Sequence, residues 1–151
     1  MNSEKTGIKD LIERDGRFVG VTSGFSMRPM IKSGSDVVVI EKKKDRLNPL
    51  DVALYIRGDS LILHRVLSVT NDGYIMRGDN CYKDEVVKEE CVIGVLTQYF
   101  KNEKSVFMDD RGYLRYVKRR IKWYKLRKFF FDFKRKIKFI AKTILKGKQN
   151  G

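Results

Sequence analysis

The chain has 151 residues, 42% of them apolar, enough for one domain with an ordinary core and a modest appendage. Its net charge of +14 sits at one end: residues 1–112 carry 18 Lys and Arg against 18 Asp and Glu, while residues 113–151 carry the other 15 against Asp132 alone. Cys81, Cys91 and a single histidine do not make a credible zinc site and no cofactor is expected, the polar start lacks the apolar centre of an export signal, and the longest apolar run, Val52 to Ile56, is far short of a membrane span.

In chain order, Ser3 to Arg14 is predicted helical, because Ile8, Leu11 and Ile12 share a face and Asp15-Gly16 ends the period. From Arg17 the pattern changes to short segments rich in Val, Ile, Tyr and Phe: 18–22, 36–41, 52–57, 61–69, 74–76, 92–100 and 105–108. Turn chemistry separates them, as in Lys32-Ser33-Gly34-Ser35, Asn48-Pro49, Gly58-Asp59, Asn71-Asp72-Gly73 and Asn102-Glu103. About seven strands without intervening helices predict a mainly β domain over 1–112, built as a coiled antiparallel sheet or partly open barrel.

Asp109-Asp110-Arg111-Gly112 marks the change to a basic amphipathic helical tail over 113–151. Leu114, Val117, Ile121 and Tyr124 form one apolar stripe; Leu126, Phe130, Phe133, Ile137, Ile140 and Ile144 form a second, pointing more than about 100° away. Either a bend between Tyr124 and Phe130 is therefore expected, or a helix that packs on the domain first and on something else second.

Three segments carry chemistry. Gly24-Phe25-Ser26-Met27-Arg28-Pro29 follows a strand and presents a serine hydroxyl in a Pro-stiffened turn. Such a hydroxyl is a weak nucleophile at neutral pH unless a base stands within about 3 Å. The one candidate base is His64, in the apolar strand Leu61-Ile62-Leu63-His64-Arg65-Val66; it shares a face with Ile62 and Val66, and partial burial there would keep its ring neutral. The third segment is Arg77-Gly78-Asp79-Asn80, with Asp84 and Glu85 close behind, any of which could supply the carboxylate that orients His64. Taken singly, each segment also has a plain structural reading: a turn serine, a half-buried histidine and a Gly-Asp-Asn turn.

The order of the three, Ser-Met-x-Pro, then His-Arg-Val, then Arg-Gly-Asp-Asn, resembles the type I signal peptidase superfamily in its Ser-His branch, over about Val19 to Leu96. The resemblance implies a signal-peptidase-type β fold with Ser26 as nucleophile, His64 as general base, and Asp79 or Asp84 as the acidic partner, Glu85 being a weaker match. It places Ser23, Gly24 and Met27 against the substrate. No N-terminal membrane helix of the kind usual in the family is expected, and Gly24 stands where members often carry a hydroxyl residue that helps bind the oxyanion. That role then falls mainly on the Ser26 N–H, with Ser23 nearby; the loss of one such donor costs about 2–4 kcal/mol of transition-state stabilisation. The expected activity is serine endopeptidase cleavage of an extended leader or signal-like peptide. The alternative is a catalytically inactive peptide-binding or membrane-associated module of the same fold. A self-cleaving repressor is disfavoured, since too few residues precede the sheet for a DNA-binding domain and His64 stands where those proteins place lysine.

For Leu114 to Tyr124 a solvated helix whose stripe covers the β domain is expected; for Leu126 to Lys148 the expected partner is an anionic membrane surface, with aromatic groups in the headgroup boundary and Lys and Arg on lipid phosphates, nucleic acid being the weaker alternative. Together these readings expect a cytoplasmic protein, peripheral at the inner face of the cell membrane.

Overall fold

The structure is a computed structural model that describes residues 2–149, with side chains described for residues 7–140. It divides into two compact units, Met1–Leu114 and Arg115–Gly151, two residues beyond the expected boundary.

The first unit begins with α1 (Asn2–Asp15), in which Ile12 is buried and Ile8 and Leu11 are half-buried, as their common face predicts. There follow β1 (Arg17–Val21), β2 (Val37–Lys42), β3 (Val52–Arg57), β4 (Ser60–Thr70), β5 (Gly73–Arg77), β6 (Glu85–Lys88), a 3-10 turn at Glu89–Cys91, β7 (Val92–Lys101) and β8 (Lys104–Phe107). All pair antiparallel in one curled sheet of order β1-β2-β7-β3-β4-β5-β6, with β8 on β7. The mainly β expectation and its partly open form are therefore met. Seven of the eight strands fall within a residue or two of the expected positions; β6 is a further strand, beyond the seven expected.

Two features of this sheet govern the site. Among the described residues, β7 is the sole link between the pair β1–β2 and the group β3–β6. Second, β4 is long, and only its later part, from Arg65 onward, pairs with β5, so Ser60 to His64 present one open edge. Alternation along β4 sends His64 to the face of Ala53, its partner on β3, where Ala53, Tyr55, Val66, Tyr74 and Met76 form a buried apolar cluster. Arg65, one residue on, points to the other face.

In the second unit, the rest of α2 (Arg111–Lys122) and α3 (Tyr124–Gln149) follow one another with only Trp123 between. Backbone bonds from Trp123 N–H to Arg119 O (3.1 Å) and from Arg127 N–H to Trp123 O (3.0 Å) carry the helical pattern across the break. The break lies one residue before the expected interval. The side chain of Ile144 lies outside the described residues.

Candidate active site

The three sequence segments converge, and Gly78 is where they meet. The β4–β5 register pairs Arg65 with Arg77; carried one step further, it sets His64 opposite Gly78. A methyl group on Gly78 would lie 2.9 Å from His64 Nε2 and 2.7 Å from the Ser26 carbonyl oxygen, so a side chain there would force the two apart. The loop bearing Ser26 is hung on the same turn: Asn80 N–H donates to Ser26 O at 2.7 Å, and Asn80 Nδ2 donates to Phe25 O at 3.3 Å. Lys101 at the end of β7 holds the far side of that loop through the Pro29 and Met30 carbonyls, at 2.5 and 3.1 Å.

Behind this meeting point stands a buried chain of polar groups. His64 is only 4% exposed. Its Nδ1 lies 3.1 Å from the Tyr55 hydroxyl, which donates to Glu85 Oε2 at 2.5 Å; Glu85 also accepts from Arg57 Nη1 at 2.5 Å. Desolvation opposes ionisation of Glu85, yet the hydrogen bonds from Tyr55 and Arg57 outweigh it and hold the carboxyl below its usual value. An ionised carboxylate only accepts, so the Tyr55 proton must point at Glu85. The Tyr55 oxygen is then free only to accept, and it takes the proton of His64 Nδ1. This fixes the ring tautomer: Nδ1 carries the hydrogen and Nε2, the nitrogen facing Gly78, carries the lone pair. Burial, countered in part by the charge of Glu85, pushes the imidazole below its usual 6.5, so it is neutral at pH 7. Burial and the bond to Glu85 push the Tyr55 phenol far above its ordinary value, which keeps that proton in place.

These contacts correct the expected acidic partner. Asp79 does not orient His64. Its two oxygens, Oδ1 and Oδ2, accept from Arg65 Nε and Nη2, each at 2.8 Å, in a pair whose partners are 8% and 1% exposed. The parity of the strand explains this: Arg65, beside His64, points to the opposite face and meets the Gly-Asp-Asn turn from there. Asp84, itself exposed, pairs with Arg77 at 2.9 Å. The carboxylate in line with His64 is Glu85, the weaker sequence match, and it acts through Tyr55, which sequence reasoning did not single out.

Arg65 is itself fully bonded. Besides Asp79 it donates through Nη1 to the Leu50 carbonyl (2.9 Å) and the Tyr113 hydroxyl (2.6 Å), and through Nη2 to Met30 Sδ (3.2 Å). Desolvation works against the guanidinium, but the hydrogen bonds and charge of Asp79 outweigh it and raise its pKa further. The Arg65–Asp79 fork thus fixes the Gly78-Asp79-Asn80 turn, and the turn fixes Ser26.

Ser26 is half-buried and lies beside a cleft of about 470 Å³, to which Ser23, Gly24, Phe25 and Met27 contribute one wall and Leu61 to Leu63 of β4 another. Ser23, Gly24 and Met27 thus all line this cleft. Gly24 has φ +87°, a left-handed value at which a serine or threonine would be strained, so a glycine at this position has a backbone reason. Among the described residues the Ser26 hydroxyl makes no hydrogen bond to His64. Cys81 packs at the same turn, its Sγ 2.9 Å from the methyl position on Gly78, and burial pushes its thiol up, so it is held as the unreactive thiol. Both cysteines are free.

The tautomer argument has a direct test. Tyr55→Phe leaves the Nδ1 proton buried without an acceptor and lets the ring choose either tautomer. If the site turns over a substrate, kcat is expected to fall on the order of 10²-fold with KM little changed. Nitrogen-15 NMR of the ring should show Nδ1–H in the wild type and a mixture in the variant. An unaltered ring spectrum would show that Tyr55 does not set the proton.

No known family model matches this chain, and no curated protein matches it.

Proposed function

We propose that the protein is a serine endopeptidase of the signal-peptidase type, in which Ser26 attacks the scissile carbonyl and His64 Nε2 takes its proton. The observation that carries this reading is the shared approach of the Ser26 backbone carbonyl and the unprotonated nitrogen of the sole histidine to Gly78. An extended peptide lies in the cleft beside Ser23 to Met27, adding to the sheet through backbone hydrogen bonds. Attack by Ser26 Oγ forms a tetrahedral intermediate whose oxyanion rests on the Ser26 N–H. His64, now an imidazolium steadied through Tyr55 by Glu85, returns the proton to the leaving amine. Water then repeats the sequence on the acyl-enzyme and restores the hydroxyl. Catalytic hydrogen bonds are commonly long before substrate binds and tighten in the complex, which is the step expected at Ser26 and His64.

The open hydroxyl also favours a second reading, a peptide-binding module of the same fold without turnover. One experiment separates the two. The protein is incubated with a mixed-sequence peptide library, and cuts and retained peptides are identified by mass spectrometry, with Ser26→Ala beside it. Cuts that vanish in Ser26→Ala support the peptidase; cuts that persist sink it. Peptides retained but never cut establish the binding module instead.

A further inference from the structure

Nothing in the proposed reaction uses α3, and its surface has a definite chemistry. Its 26 residues make a rod about 39 Å long. At about 100° per residue, Leu126, Phe129, Phe130, Phe133, Ile137 and Ile140 fall within one stripe about 100° wide. All six are exposed, from 44% at Leu126 to 63% at Phe129. Phe129 and Phe133 stack at 6.4 Å with an interplanar angle of 11°, which joins successive turns into one apolar band. Basic residues border both edges, Arg127 and Lys134 on one side, Lys125 and Lys136 on the other. Over its whole length α3 has ten Lys and Arg against Asp132, which pairs within the helix to Lys128 and Arg135 at 3.5 and 3.3 Å.

The borders decide what can cover the band. A second copy of the helix, in either direction, would set Lys and Arg against Lys and Arg along both seams, where stable helix pairs place opposite charges. A nucleic-acid strand would find its phosphates but would meet Leu126, Ile137 and Ile140, which offer no face for base stacking. A bilayer containing anionic lipid satisfies both parts: acyl chains and glycerol receive the band, and phosphates meet the bordering cations. No helix among the described residues is long and apolar enough to cross a membrane, so the element would lie in the surface plane.

We propose that α3 binds flat in the headgroup region of an anionic lipid bilayer, its aromatic-aliphatic band downward and its Lys and Arg borders on lipid phosphates. Trp123, the sole tryptophan, stands at the start of the helix, 51% exposed, and reports on the event.

The test uses the whole protein with vesicles of phosphatidylcholine containing about 30 mol% phosphatidylglycerol, and with phosphatidylcholine alone. Flotation and the blue shift of Trp123 emission are read at low and high salt. Binding to the anionic vesicles is expected to exceed binding to neutral ones by at least about tenfold, and to weaken with salt. Phe130→Ser with Phe133→Ser should lower anionic binding by about tenfold or more while circular dichroism is unchanged; Lys134→Gln with Lys136→Gln should reduce the preference for anionic lipid. Equal binding to both vesicle types, no binding at low salt, or full binding by the Phe variant overturns the proposal. So does a stripe-dependent dimer in sedimentation equilibrium that leaves vesicles untouched, or a mobility shift with short RNA that survives the Phe substitutions.

Discussion

Ser26→Ala and His64→Ala are each expected to reduce peptide cleavage by at least about 10⁴-fold, because nucleophile and base act as one unit and neither is useful alone. The double variant should therefore be little worse than either single one. Cys81→Ser should retain cleavage, since its thiol is held protonated by burial. That control separates the proposed hydroxyl chemistry from a thiol nucleophile beside the same histidine. All three variants should keep the wild-type circular dichroism spectrum, as no backbone bond is removed. The pH profile adds a second reading. Activity requires neutral His64, whose pKa lies below 6.5, so kcat/KM should fall with a single proton on the acid side, with its midpoint under that value. Stability follows the same sign: the unfolded chain binds the proton more readily, so this contribution is present above 6.5 and lost as pH falls toward the lower native value. Near-wild-type turnover in Ser26→Ala, or an acid limb above 6.5, would sink the mechanism.

Arg65→Met is expected to lower the unfolding free energy by about 3–5 kcal/mol, a large part of the stability of a domain of this size. The substitution keeps volume but leaves the Asp79 carboxylate buried without its cation, and removes the donors that Leu50 O and the Tyr113 hydroxyl receive. A urea titration should show the midpoint shift at nearly constant slope. Adding Asp79→Leu to Arg65→Met should recover part of the loss, since no unpaired charge is then buried; a double variant no better than the sum of the singles would mean the pair is not coupled. Cleavage should fall in Arg65→Met as well, because the turn that suspends Ser26 loses its anchor. A cost below about 1 kcal/mol would show that the guanidinium is not the keystone of that turn.

How much of this was readable in the residues varies by element. The strands were legible where β-branched and aromatic residues run between Gly, Asn and Asp turns, as in Val52 to Arg57. β6 was not: Glu85-Val86-Val87-Lys88 is short and set between charged neighbours, and it is a strand because β5 supplies a partner. Ser26 and His64 stood out by residue type and order. The partner of His64 did not, because the link depends on the β3–β4 register that places Tyr55 diagonally beside it; in sequence Tyr55 is one more aromatic in an apolar strand. Asp79 misled for a related reason: its turn was visible, but strand parity gives it to Arg65 and gives Glu85 the line to the histidine.

The place of β7 bears on the order in which the sheet can close during synthesis. Ser26, His64, Gly78 and Glu85 all leave the ribosome before Val92, yet β1–β2 and β3–β6 have no common neighbour until β7 joins them. The nascent polypeptide thus holds Ser26, His64 and Gly78 before the strand that joins their two halves of the sheet has been made. A chain ending before Val92 is expected to be inert toward any peptide the whole protein cuts. Under the proposed mechanism, cleavage would therefore begin only after most of the domain has been made.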